Sequence, residues 1–125
     1  MKYTHIVPAS LIILWVLFFF YGCASVPFED WSKADTIRQG AFISLLAIDT
    51  YQTHRLVSDP NYYETNQILG EDPSSGSINL YMIGCAVGHT VVSGLLNTEW
   101  RERWQYVWIG AEGYHVVNNY EMGVK

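Results

Sequence analysis

Between Ile78 and Leu96 the chain runs 19 residues without an Asp, Glu, Lys or Arg. A segment of that length and composition is helical in either of two settings. It is long enough to cross a bilayer, and it equally suits a helix buried all round inside a bundle. Ser77 stands ready as its cap. Gly84 and Gly88 make a G-x-x-x-G pair and Gly94 adds a third glycine. Each costs about 1 kcal/mol against alanine in a helix interior, and close approach of a second helix backbone is the natural compensation. The segment is therefore expected at the centre of a helical bundle.

Two further helices fit around it. Ser32-Lys33-Ala34-Asp35 has capping-box spacing, and a helix is expected over Lys33–Val57. Ile37, Ala41, Leu45 and Ile48, with Phe42 and Leu46, recur at steps of three and four. Asp49, Gln52 and Thr53 fall on the same side, a polar cluster within an apolar stripe. Asn97-Thr98 caps a third helix, from about Glu99 to Asn118, along which Trp100, Trp104, Trp108 and Ala111 form one line. Between the first two helices lie residues 58–77. Asp59-Pro60-Asn61 and Asp72-Pro73-Ser74 are turn signals there, with room for a turn or two of helix between Tyr62 and Leu69. A connection this long in so small a domain is more often functional or packed as a unit than idle.

The N-terminus has a separate character. Ile6–Tyr21 is an uncharged run of 16 residues behind Lys2, closed by Gly22-Cys23. This resembles a bacterial lipoprotein signal peptide, whose small residues before an invariant Cys permit cleavage. Phe20 and Tyr21 are bulkier than usual for that signal. The resemblance implies a signal peptide over 1–22, a lipidated tether over 23–31 and a helical domain over 32–125. Cys23 would carry covalent diacylglycerol and palmitate, and no other cofactor is expected. Ala24 after the Cys implies sorting to the outer membrane of a bacterial envelope, facing the periplasm. The alternative is an uncleaved first transmembrane helix, although its length falls somewhat short of the roughly 20 residues that span a bilayer.

Twelve acidic against seven basic residues give a formal charge of −5. With no basic run, nucleic acid is an unsuitable partner and anionic lipid headgroups offer no electrostatic attraction. Two Cys, one of them in the lipid signal, leave no disulfide framework. Stability then falls to packing, in which five Trp, nine Tyr and five Phe carry much of the burial.

Each helix carries an ionisable group where hydrophobicity predicts none: Asp49, His89 and Glu112. Such groups pair, neutralise or bind something. Glu112-x-x-His115 has the spacing of one half of a di-iron bundle site, but that chemistry needs a second such pair and two more Glu. A metal held by Asp49, His89, Glu112 and His115 is thus a lesser option. A structural hydrogen-bonded network reaching Thr53, Asn66 and Asn118 is preferred. Hydrolysis through Ser44 or Ser93 with His89 and Asp49 lacks any local signature, and Cys85, one turn from His89, reads as an inert buried thiol.

Asp49-x-x-Gln52-Thr53, then Tyr63-Glu64-x-Asn66-x-x-Leu69-Gly70-x-x-Pro73-Ser74, then Arg103 with Gln105, and finally Glu112 and Asn118, resemble a group of small bacterial and phage lipoproteins of unknown function. Gln67 stands where that group has Pro. The resemblance covers about residues 31–123 and implies a lipidated or membrane-embedded helical domain whose polar motif residues converge, without implying a reaction. The expected site is thus Asp49, Thr53, Glu64, Asn66, His89, Glu112 and Asn118. The expected fold is all-α, a small bundle of three main helices behind a signal peptide. Two functional classes follow. One is a non-enzymatic envelope lipoprotein with a structural or partner-binding role, its partners being membrane lipid and an envelope protein. The other is a small metal- or acid/base-dependent envelope enzyme.

Overall fold

The computed structural model describes residues 27–62, 64 and 66–124; the signal peptide and Cys23 lie outside them. Three helices follow in order, α1 (Lys33–Val57), α2 (Ser75–Leu95) and α3 (Thr98–Glu121), with no strand among the described residues. Each begins on a side-chain cap. The Ser32 hydroxyl accepts from the Asp35 backbone N–H while the Asp35 carboxylate accepts from the Ser32 backbone N–H, completing the capping box. Ser74 caps α2, three residues before the expected Ser77, and Asn97 caps α3.

The helices run up, down and up. At one end, called here the clamp end, lie the starts of α1 and α3 and the finish of α2: Arg38 donates to Gln105 at 2.8 Å, and the Phe28 backbone N–H donates to the Gly94 carbonyl at 2.7 Å. At the other, the loop end, the Tyr62 hydroxyl donates to the Met122 carbonyl at 2.9 Å. The core is small: Phe42, Leu46, Ile78 and Met82, flanked by Val57, Tyr81, Cys85, Ala86 and Ile109.

The arrangement corrects one expectation. The most extensive packing is between α1 and α3, and α2 lies against α1 with little contact to α3. Among the described residues nothing stands within 4 Å of where a Cβ on Gly84 or Gly88 would be. Only Gly94 is needed for close approach, because a Cβ there would meet the Phe28 ring at 2.7 Å. The apolar stripe of α1 also resolves differently. Phe42 and Leu46 are buried, while Ile37, Ala41 and Ile48 face outward. The buried side continues through Gln52, Thr53 and Leu56, and Gln52 and half-buried Asp49 meet the Val116 carbonyl and the Asn119 amide of α3. A purely apolar stripe offered α3 no such partners.

Candidate functional site

The polar residues inside the bundle fall into two clusters at opposite ends of the α1–α3 seam, with a histidine between them.

At the clamp end Arg101 and Asp35 are both 0 % exposed. The Arg101 guanidinium donates to the carbonyls of Ser93, Glu29 and Leu96, each at 2.8 Å, and more loosely to the Asp30 carbonyl and the Asp35 carboxylate at 3.4 and 3.5 Å. Its plane also lies over the Trp31 ring, 5.2 Å from the centroid. Asp35 receives Arg38 at 2.6 Å and the Ser32 hydroxyl at 2.7 Å. Gln105, fully buried, donates to the Asp35 carbonyl and accepts from Arg38. Burial alone would raise the Asp35 pKa; the Ser32 hydrogen bonds and the Arg38 and Arg101 charges outweigh it and hold the carboxyl below its ordinary value. The same guanidinium secures a strained turn. Phe28 and Asp30 have φ of +62° and +54°, a left-handed conformation that costs a side-chain-bearing residue about 1–2 kcal/mol.

At the loop end the carboxyls are less well provided. The Asn119 amide donates to Asp49 at 2.8 Å, and Gln52 donates to the Val116 carbonyl at 3.2 Å. Burial raises the pKa of Asp49 and the Glu64 charge adds to this, against His115 and the Asn119 hydrogen bond. Glu112 is 8 % exposed, with no side-chain hydrogen bond among the described residues; burial first, and then the Asp49 charge, push its pKa up to about 7. Cys85 and Tyr81 stand beside this pair, and burial raises the thiol well away from a reactive thiolate. Glu64 and Asn66 belong to the connecting loop. The Asn66 backbone N–H donates to the Glu64 carboxylate at 2.7 Å, the Asn66 side chain accepts from the Ile68 N–H, and Gly70 closes the turn at φ +81°. The Glu-x-Asn-x-x-Leu-Gly pattern is thus a loop-building device that brings two polar side chains to the α1–α3 seam.

His89 does not join either cluster. Its ring stacks on Phe42 at 3.9 Å between centroids, with Trp104 at 5.7 Å on its other side. Both ring nitrogens and the Ser93 hydroxyl are buried without a hydrogen-bond partner among the described residues. Burial lowers its pKa to about 4, so the ring is neutral.

Of the expected residues, then, Asp49, Glu64, Asn66 and Glu112 come together. Thr53 is buried one turn beyond Asp49, and His89 sits apart. Asn118 serves through its carbonyl, which accepts from the Met122 N–H, while the neighbouring Asn119 is the side chain that reaches Asp49. Tyr81 and Cys85 were not expected beside the carboxyls; their spacing from Asn66 and Glu112 was the only signal. Arg101 and Gln105 as the centre of a second cluster were also missed. Arg101 reads with Arg103 as the polar start of a helix, and Gln105 entered only as part of the resemblance motif. Among the described residues no three His, Cys, Asp or Glu side chains are arranged to hold a metal ion. The hydrolytic set does not assemble either: the Ser44 hydroxyl is tied to the Gly40 carbonyl, and no contact joins His89 to Asp49. No protein-family model, curated protein or solved structure matches the chain.

Proposed function

We propose that the protein is a membrane-anchored lipoprotein of the bacterial envelope with a non-enzymatic structural or partner-binding role, acylated at Cys23. One observation carries this reading: residues 28–31, a few positions after Cys23, are built into the fold rather than left as a leash. Phe28 packs on Gly94, the Glu29 and Asp30 carbonyls are held by buried Arg101, and Trp31 lies under the same guanidinium. An anchor joined to a domain in this way fixes the domain's position against the membrane. The interior polar groups fit a structural role too. The clamp cluster is spent on holding three elements together, and burial keeps the Cys85 thiol protonated.

Metabolic labelling with palmitate tests the reading. The parent chain is expected to incorporate label and to run as the cleaved form. Cys23→Ser is expected to abolish labelling and to accumulate as the precursor. Label retained in Cys23→Ser would overturn it.

A second reading draws on Glu112, whose pKa near 7 is suited to proton transfer. In that case the site is a small acid/base centre made of Glu112, Asp49 and Glu64. Glu112→Gln would then abolish function while leaving folding intact, whereas a structural Glu112 tolerates the amide.

A further inference from the structure

We propose that the outward face of α2 lies flat in the lipid surface as an in-plane helix, so that the domain rests on the membrane along this side. The proposal rests on the anchored reading above and adds to it an orientation and a second point of lipid contact.

Four observations converge. First, both faces of α2 are apolar. Ile78, Met82 and His89 turn inward, while Leu80, Ile83, Val87 and Val91, spaced three and four apart, turn outward, with Leu80 74 % exposed. Gly84 and Gly88 lie within the outward stripe, and no atom of the described residues stands within 4 Å of where their Cβ would be. An exposed apolar stripe this long marks a surface that something covers.

Second, the chain arrives from its anchor on this helix. Phe28 is seated on Gly94, at the C-terminal end of α2. Cys23 is five residues earlier, a span of at most about 17 Å. The acyl chains of Cys23 and the apolar stripe therefore reach the same lipid surface together.

Third, the neighbouring helix supplies an interfacial border. Trp104 meets His89 of α2, and Trp100 and Trp108, on the same line of α3, are both exposed. Tryptophan in such a position favours the headgroup level of a bilayer.

Fourth, charge placement selects flat contact over spanning. α2 is long and apolar enough to cross a membrane by length and composition. Its companions are not. Alongside it, the longest unbroken runs without Asp, Glu, Lys or Arg are Gln39 to Ile48 in α1 and, in α3, Trp104 to Ala111 and Gly113 to Tyr120. These stretches rise about 15 and 12 Å, roughly half of a hydrocarbon core of about 30 Å. Asp49 and Glu112 interrupt them from inside the bundle, and the exposed charges lie toward its two ends, at Arg103 and at Arg55 and Glu121. With a net charge of −5 the contact is hydrophobic rather than electrostatic.

Depth measurement on the full-length lipidated protein in phosphatidylethanolamine–phosphatidylglycerol vesicles tests this. Spin labels are placed one at a time through Leu80→Cys, Val87→Cys and Val91→Cys, with Ala47→Cys on the outward side of α1 as reference, all in a Cys85→Ala background. The ratio of accessibility to oxygen over a water-soluble nickel chelate is expected to be severalfold higher at the three α2 positions than at Ala47. It is also expected to be similar among the three, as an in-plane helix requires. Free access of the chelate to α2 would overturn the proposal. So would low access of both reagents, the signature of a second copy or another segment covering the stripe. A ratio that peaks at Val87 and falls toward both ends of α2 would overturn it in favour of a span. Because the depths are read whether or not Cys23 labels with palmitate, failure of this inference is distinguishable from failure of the anchor.

Discussion

The two ends of the α1–α3 seam treat buried charge in opposite ways. At the clamp end Asp35 has a guanidinium, a second arginine and two hydrogen bonds from Ser32, and its pKa falls. At the loop end Glu112 is nearly as buried but faces another carboxyl, and its pKa rises to about 7. Burial opposes ionisation at both, so the difference lies in the partners. The clamp end derives stability from its charges, whereas the loop end holds a charge that weakens the fold whenever it forms.

The largest effect that would break this contrast is at Arg101. Arg101→Met leaves Asp35 buried without that guanidinium and strands the Ser93, Glu29 and Leu96 carbonyls. Removing one partner of a buried pair costs about 3–5 kcal/mol, and urea unfolding should show a loss of that size or no folded protein. A loss below 1 kcal/mol would mean the clamp is ornamental.

Next is the pH dependence at the loop end. A carboxyl whose folded pKa lies above its unfolded value binds protons more tightly in the native state. Its contribution to stability therefore falls as pH rises from about 4.5 to 7. Glu112→Gln should remove this loss and raise stability above pH 7, by at most about 3 kcal/mol. His89 acts in the other direction. Its folded pKa is lowered to about 4, so its contribution is lost as pH falls from about 6.5 toward 4. In the parent protein the two partly cancel, and thermal melts of Glu112→Gln across this range should expose the histidine's slope. A flat difference between parent and variant would show that Glu112 does not titrate in the fold.

Asp49 separates charge from hydrogen bonding. Asp49→Asn keeps an acceptor for Asn119 and relieves Glu112, so melting should change little or improve. Asp49→Leu strands Asn119 at about 1–3 kcal/mol. Equal losses in both variants would show that the charge itself matters. The smallest effect is on α2. Gly88→Ala meets no neighbour and should gain about 1 kcal/mol from helix propensity, while Gly94→Ala collides with Phe28 and should destabilise. Similar behaviour of the two would contradict the placement of α2 at the edge.

Helix number, type and limits were readable because capping residues and three-four periodicity are local signals. Lys33–Val57 agrees at both ends, and α3 differs by one residue at its start and three at its finish. The pairing of helices was not readable. Apolarity places a helix against something apolar without saying whether that is protein or lipid, so α2 was taken for the centre when α1 and α3 form it. At the site, Asp49 and Glu112 stood out because each breaks an apolar pattern, while Glu64 and Asn66 entered through the loop motif of the resemblance. Arg101 broke no pattern, since a charged residue in a first helical turn is ordinary, and its burial depends on where residues 28–31 return.

Arg101 also sets the order in which the fold can be completed. Its donors reach Glu29, Asp30 and Asp35, 66 to 72 positions earlier in the chain, as well as the end of the helix just before it. During synthesis the first two helices emerge while the Glu29 and Asp30 carbonyls, the strained turn and the last carbonyls of α2 still await this guanidinium. Closing a loop of that size carries an entropic cost that local contacts do not recover. A chain truncated before residue 101 keeps the Phe42, Leu46, Ile78 and Met82 contacts but leaves those carbonyls and the strained turn without their donor, and is expected to be cleaved faster by proteases than the full chain.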